Sequence, residues 1–354
     1  MDEQNYAIIE ISKAELALEK ANDIHEMLDL RSMAAAYEVF ANAQGFRDAA
    51  QKAKIFQLKA ERKAGDWLDK NVKHEGNKFG TESQDGTPLP DGITKNESSN
   101  WQTEAKLPEE KFNDWIDNSL AKGHEISASA LQKLSKDYTR KESQVELAKN
   151  GEVIEPDNRW NIWQADINKW TAPRQYDFII TDPPYPREYL PLYEILASRA
   201  VKWLKPGGLL IAMCGQSYLN QIYRMMSNHL EYYWTACYLT PGQSTSLRQK
   251  QVNTNWKPLL IFGNNGYNGK IFGDVFNSKK NDKDFHKWGQ SESGMYSVIS
   301  GICLPGQYIL DPFCGAGTTG IAALIHGCLF DGIDIDEQNV NISKARLNDT
   351  TTEG

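Results

Sequence analysis

Through the first 150 positions, apolar residues recur at helical spacing. The runs ISKAELALEKANDIHEMLDL, MAAAYEVFANA and AAQKAKIFQLKAERKAGDWLDKNV are rich in Ala, Glu, Lys and Leu, residues that lose little side-chain freedom in a helix. A polar, glycine-bearing stretch comes next, HEGNKFGTESQDGTPLPDG, which reads as an exposed loop. Beyond it, ITKNESSNWQTEAKLPEEKFNDWI is helical again, with Asn96, Ser98 and Ser99 placed to cap or line a short helix leading to Trp101.

From Trp160 the pattern changes. Short β-rich runs (WNIWQA, YDFIIT, LLIAMC, WTACYLT, KPLLIFG, QYILD, CLFDGID) alternate with helix-like runs (LYEILASRAVKWL, SYLNQIYRMMSNHL, TGIAALIHG, QNVNISKARL). Strands alternating with helices predict a mostly parallel, doubly wound α/β sheet, because parallel neighbours need crossovers that a helix supplies. Gly207-Gly208 reads as a turn into LLIAMC. The organisation expected is a helical N-terminal domain over 1–150 and an α/β domain over 158–350.

Composition narrows this little. No apolar run approaches the roughly 20 residues that span a bilayer. The acidic start MDEQNYAIIE lacks a basic-then-apolar leader, which makes the cytoplasm the expected compartment. Five scattered cysteines without a CxxC pair predict reduced, buried thiols, and His286 has no neighbour at ligand spacing, so no metal site is expected. Charge changes the picture more. The net charge is −8, yet Gly242 to Trp288 carries eight Lys and Arg against three Asp, a local +5. A cationic segment on an acidic protein is a candidate phosphate-facing surface.

Two motifs carry chemistry. In FIITDPPYPREY a buried strand ends on Asp182, and Pro183 and Pro184 stiffen the turn beyond it, so Asp182 and Tyr185 are held in one place. QYILDPFCGAGTTGIAALIHG is a strand, a turn with Gly315 and Gly317, and a helix beginning at Thr318 and Thr319. That geometry lets a cofactor approach backbone at a helix N-terminus. The spacing is neither GxGxxG nor a P-loop. In FDGIDID, Asp334 ends the next strand, where a carboxylate can accept both hydroxyls of a ribose.

DPPY together with DPFCGAGTTG resembles the S-adenosylmethionine-dependent DNA amino-methyltransferases, over about residues 158–348. The order, DPPY before the glycine motif, is similar to the circularly permuted β group. The resemblance implies a Rossmann-like sheet in which RWNIWQAD, ahead of DPPY, supplies the strand next to GIDID and places Asp166 near the cofactor's adenine. It implies that the DPF-x-G-x-G turn holds the methionine end of S-adenosylmethionine. HKWGQSESGMYSVI stands where that group has a further cofactor segment centred on a glutamine, here Gln290, although the usual HPTQKP wording is absent. The cofactor residues so implied are Asp166, Asp182, Gln290, Ser291, Asp311, Phe313, Gly315, Gly317, Thr318 and Asp334.

The family's DPPY is catalytic. An exocyclic amino nitrogen is a poor nucleophile because its lone pair is delocalised into the ring. Asp182 and the carbonyl of Pro183 would accept its hydrogens and free that pair, held rigid by Pro183 and Pro184. The base must leave the duplex, and Tyr185 would stack on it. Trp256 takes a family position near the flipped base; Arg248 and Lys250, in GQSTSLRQKQ, are candidate contacts to double-stranded DNA.

The N-terminal half resembles the helix-turn-helix region of ParB-like partition proteins, near 88–135, through GITKNESSNWQTEAKLPEEKFNDWI and GHEISASALQKL. There Lys95, Asn96, Ser99, Asn100 and Gln102 would face the major groove. Lys70 to Glu142 carries eleven Lys and Arg against thirteen Asp and Glu, so a helical scaffold or dimerisation domain is the competing reading. The leading expectation is a site-specific adenine-N6 DNA methyltransferase of restriction-modification or phage type, with a homodimer as a candidate assembly. Alternatives are a cytosine-N4 enzyme, an RNA adenine methyltransferase (disfavoured by DPPY in place of DPPW), and a DNA-binding module with an inactive methyltransferase half.

Overall fold

A computed structural model describes residues 3–72, 88–240, 245–264, 266–278 and 292–352. The chain divides into two compact units, Met1–Glu142 and Ser143–Gly354.

In the first unit, α1 (Glu3–Lys20), α2 (Ile24–Ala43) and α3 (Arg47–Asn71) precede α4 (Lys95–Ala105) and α5 (Glu109–Ala121), and α6 (Ala128–Gly151) begins within it. The helical run over 11–30 is broken where Asp23 takes up an extended backbone and its carboxylate accepts the His25 N–H, starting α2. Ile11, Leu18, Ile24, Met27, Phe56, Leu68 and Trp101 share one core; Leu58, Leu107, Phe112, Ile116 and Leu131 form another. Gly65 lets α3 press on α4: a Cβ there would lie 2.0 Å from the Trp101 carbonyl oxygen. The cap of α4 is Thr94, two residues before the expected Asn96, in a capping box with Glu97.

The second unit is built on β1 (Trp160–Gln164), β2 (Tyr176–Thr181), α7 (Pro191–Trp203), β3 (Leu204–Met213), α8 (Leu219–Ser227) and β4 (Glu231–Leu239). It continues through β5 (Thr245–Leu247), β6 (Val252–Thr254), β7 (Trp256–Gly263), β8 (Val275–Asn277), α9 (Glu292–Ile302), β9 (Tyr308–Asp311), α10 (Thr318–Ile325), β10 (Leu329–Asp334) and α11 (Glu337–Thr352). Eight strands form one sheet in the order β1-β10-β9-β2-β3-β7-β4-β8. Every pairing in it is parallel except those of β7, which runs against both β3 and β4. Helices α9, α10 and α11 contribute to the core on one face, with Val298, Ile321 and Leu347, and α7 and α8 to the other, with Leu196 and Met226. This is the expected doubly wound sheet, and RWNIWQAD does supply the strand beside GIDID, with Ile162 opposite Gly332.

Three details depart from the sequence reading. Gly207 and Gly208 lie inside β3, where the register against β2 jumps from Tyr176↔Leu204 to Phe178↔Leu209; they form a bulge, with Gly207 at φ +76°, and no turn. The stretch carrying Arg248 and Lys250 contains a small hairpin, β5 and β6, closed by a short 3-10 turn. Strand β8, unforeseen, borders Cys237–Leu239 of β4.

Candidate active site

Strand order reverses between β9 and β2. From β9 the sheet proceeds through β10 to β1; from β2 it proceeds through β3. In open α/β sheets, ligands settle outside the carboxyl ends of the strands at such a point. Four adjacent parallel strands here end on or just before an acid: Asp166 after β1, Asp334 on β10, Asp311 on β9 and Asp182 after β2.

Asp311, only 2% exposed, joins the two sides of the switch point. Its Oδ1 accepts from Thr181 Oγ1 at 2.6 Å and from the Phe313 N–H at 3.0 Å, and its Oδ2 accepts from Thr319 Oγ1 at 2.6 Å. Burial pushes its carboxyl up to about 6 against these hydrogen bonds, and the charge of Asp182 adds to the rise. Its bonds tie the start of DPPY to the glycine turn.

The glycine turn is fixed from two directions. Gly315 and Gly317 adopt φ +51° and +82°, conformations open to glycine at little cost. The Gly315 N–H donates to Asp334 Oδ2 at 2.9 Å, so the ribose candidate also holds the turn. From α11, Ser343 Oγ donates to the Gly315 carbonyl at 2.6 Å, and Arg346 donates to the Ala316 carbonyl while pairing with Glu292 at 2.6 Å. A Cβ on Gly315 would meet nothing within 4 Å, which leaves open space beside the turn. Thr318 and Thr319 open α10 directly after it. Asp166 lies on the neighbouring strand end, where the Ala165 N–H donates to the Asp334 carbonyl at 2.9 Å. Its carboxylate accepts the Asn168 N–H at 2.9 Å, the main reason its pKa lies low.

At DPPY, Pro183 is buried and Pro184 exposed. Tyr185 Oη donates to Asp182 Oδ1, and Lys257 Nζ donates to Tyr185 Oη at 3.1 Å. The ammonium also lies 4.9 Å from the centre of the Tyr185 ring. Burial raises the Asp182 carboxyl above its ordinary range; Lys257 and the Tyr185 hydroxyl oppose that rise. Trp256, 36% exposed, starts β7 beside Lys257.

The sequence-predicted residues therefore fall into groups. Asp182 and Tyr185 touch, as do Gly315 and Asp334. Arg248 and Lys250 are exposed at the tip of the β5–β6 hairpin. Gln290 and Ser291 lie outside the described residues. In the other unit, Lys95, Asn96 and Ser99 are exposed on α4 and Asn100 is half-buried, but Gln102 is not a groove-facing residue: it is buried and donates to Ser98 Oγ at 3.1 Å. Thr181, Lys257, Ser343 and Arg346 were missed. Thr181 and Lys257 adjoin residues already singled out, so adjacency was a usable signal; Ser343 and Arg346 become visible only when α11 packs on the turn.

Similarity to known proteins includes the glycine turn and the strand that ends on Asp334. Residues 264–345 match the family model described as DNA methylase. The chain is 37% identical over 91 residues to the type II methyltransferase M2.LlaDCHI of Lactococcus lactis subsp. cremoris, 24% of this chain and 34% of that protein. It is 24% identical over 216 residues to the type II methyltransferase M.HpaI of Haemophilus parainfluenzae, 48% of this chain and 68% of that protein. The matched stretch thus spans about a third of the length of M2.LlaDCHI. Among solved structures, the M1.HpyAVI–SAM complex is similar at a TM-score of 0.43 and 22% identity, covering 53% of this chain and 99% of that one. PvuII DNA methyltransferase (cytosine-N4-specific) gives a TM-score of 0.43 at 13% identity, covering 55% and 92%.

Proposed function

We propose that this chain is an S-adenosylmethionine-dependent DNA methyltransferase acting on the exocyclic N6 of adenine in a specific double-stranded sequence. The observation that carries the reading is the pairing of a rigid, half-buried carboxylate, Asp182, with a glycine turn closed by Asp334 across one topological switch point. The residues present suit the cofactor: open space beside Gly315, two acids at neighbouring strand ends for a ribose and an adenine, and backbone from Phe313 to Gly317 for the methionine end. S-adenosylmethionine supplies an electrophilic methyl carbon on its sulfonium.

The chain's own residues do the rest. Asp182 accepts a hydrogen from the amino group of a flipped adenine, drawing the nitrogen's lone pair out of conjugation. A carboxyl lifted by burial also holds that proton more readily than an exposed aspartate does. The backbone carbonyl of Pro183 is the second acceptor, and Tyr185 is the stacking surface. Trp256 stands at the base-binding side, and Arg248 and Lys250 contact the phosphate backbone, a role that exposed cations on a hairpin tip suit. The exposed Lys95, Asn96 and Ser99 of α4 share in sequence choice as a ParB-like element. Aspartate at the head of the motif favours adenine, since relatives acting on cytosine usually carry serine there.

DNA methylated by the full chain, digested to nucleosides and separated, should contain N6-methyladenine; N4-methylcytosine in its place overturns the specificity. Asp182→Ala should slow methyl transfer about a hundredfold or more, with S-adenosylmethionine affinity by calorimetry little changed. Asp334→Ala should show the reverse pattern. Near-normal methylation by Asp182→Ala would sink the mechanism.

A further inference from the structure

Lys257 enters the site from β7, the strand that runs against β3 and β4. Because β7 is antiparallel, its first residues reach the same edge of the sheet at which β2 ends, and so a cation near the start of one strand meets the motif at the end of another. A lysine ammonium only donates, and a phenol has one proton to give. With Lys257 Nζ donating to Tyr185 Oη at 3.1 Å, that proton is directed to Asp182 Oδ1, and the order Lys257 to Tyr185 to Asp182 has a single sense. The same ammonium lies 4.9 Å from the Tyr185 ring centre, which holds the ring as well as the hydroxyl.

We propose that Lys257 is a positioning residue of this site: it orients Tyr185 and, through it, keeps the Asp182 carboxylate charged and aimed. The proposal rests on Asp182 being the amino-group acceptor. Five groups surround Asp182 electrostatically: Tyr185 in its own turn and Lys257 from β7 act on it directly, and its charge in turn raises Tyr193 from α7, Cys214 after β3 and Asp311 from β9. Cys214 is pushed up to about 12 by burial and stays a neutral thiol, Tyr193 is likewise raised by burial, and Asp311, an acid, has no positive charge to offer. Among the described residues, Lys257 is the one cation of the set.

The test compares the full chain with Lys257→Met, Lys257→Arg, Tyr185→Phe and the Lys257→Met/Tyr185→Phe double variant. The first readout is the ¹³C NMR titration of the Asp182 carboxyl without cofactor or DNA, assigned with Asp182→Asn. Lys257→Met should move the midpoint up, and Lys257→Arg, which keeps the charge, should hold it near the wild-type position. The second readout is single-turnover methyl transfer against pH. Lys257→Met should lose about tenfold or more, its acid limb should shift to higher pH, and S-adenosylmethionine affinity should stay within about twofold. The double variant should lose less than the product of the two single losses, because both act through one hydroxyl. An unmoved Asp182 midpoint in Lys257→Met, or fully multiplicative losses, overturns the proposal. Should the wild type methylate no base at all, the functional reading fails, while the carboxyl titration still decides the role of Lys257.

Discussion

Replacing Glu104 with glutamine should remove a pH dependence from the stability of the helical unit. Glu104 sits on α4 with 0% of its surface exposed, and neither carboxyl oxygen has a hydrogen-bond partner. Gln132 lies near enough to favour the charged form but outside hydrogen-bonding geometry. Burial, and then the negative charge of Glu61, push the carboxyl up to about 7 from an ordinary 4.5; Arg62 and Lys136 pull the other way. Arg62 is largely committed elsewhere, donating to the carbonyls of Glu104 and Leu107 and pairing with Glu109. The folded state therefore holds this proton more tightly than the unfolded chain does. Below the unfolded value both states carry it and nothing is lost. As pH rises from about 4.5 through about 7, stability falls, by roughly 3 kcal/mol for a displacement of this size. Glutamine keeps the shape and cannot ionise, at a cost of about 1 kcal/mol for an unpaired amide. The variant should then gain on the wild type as pH rises from about 4.5 to about 7 and hold a constant advantage above that. Urea unfolding by circular dichroism across that range measures the difference, and hydrogen exchange of the α3 and α4 amides separates this unit from the sheet. A difference between variant and wild type that stays constant with pH would refute the reasoning.

Two glycines offer sharper structural tests. Gly317→Ala places a side chain at φ +82° and 3.0 Å from Ser343 Oγ, so it should cost about 1–3 kcal/mol and weaken S-adenosylmethionine binding by calorimetry more than it alters helix content. Gly65→Ala should destabilise the helical unit at or beyond the ~1–3 kcal/mol typical of overpacking, because the obstruction is the Trp101 backbone and cannot swing away. Thermal unfolding reads both.

Much of the α/β half was legible because buried parallel strands are short apolar runs and their crossovers are helices, two patterns with different periods. The ends of β2, β9 and β10 were legible too, since Asp182, the glycine turn and Asp334 each mark a place where an apolar run stops at a residue with chemistry. Periodicity carries no direction, so it could not tell that β7 runs backwards, and it therefore missed Lys257 although Trp256 beside it was singled out. Nor could it tell that Gly207 and Gly208 bulge inside a strand, because a bulge depends on the neighbour's register.

The N-terminal half shows the same division. Helical spacing located its helices, yet Gln102 looked like a surface residue because polar side chains usually are; only the approach of α3 at Gly65 turns it inward. Asp311 is the clearest case. By sequence it is one more acid of the cofactor motif, a residue that local context leaves free to face any ligand. Within its own motif the Phe313 N–H and Thr319 donate to it, but tertiary structure adds Thr181 from β2, 130 residues away in sequence, and so spends the carboxylate on joining two strands. What the sequence determined by itself was which residues carry chemistry and which local element each one ends. Which of them meet, and which are spent holding others in place, was decided by long-range packing, whose partners no local pattern encodes.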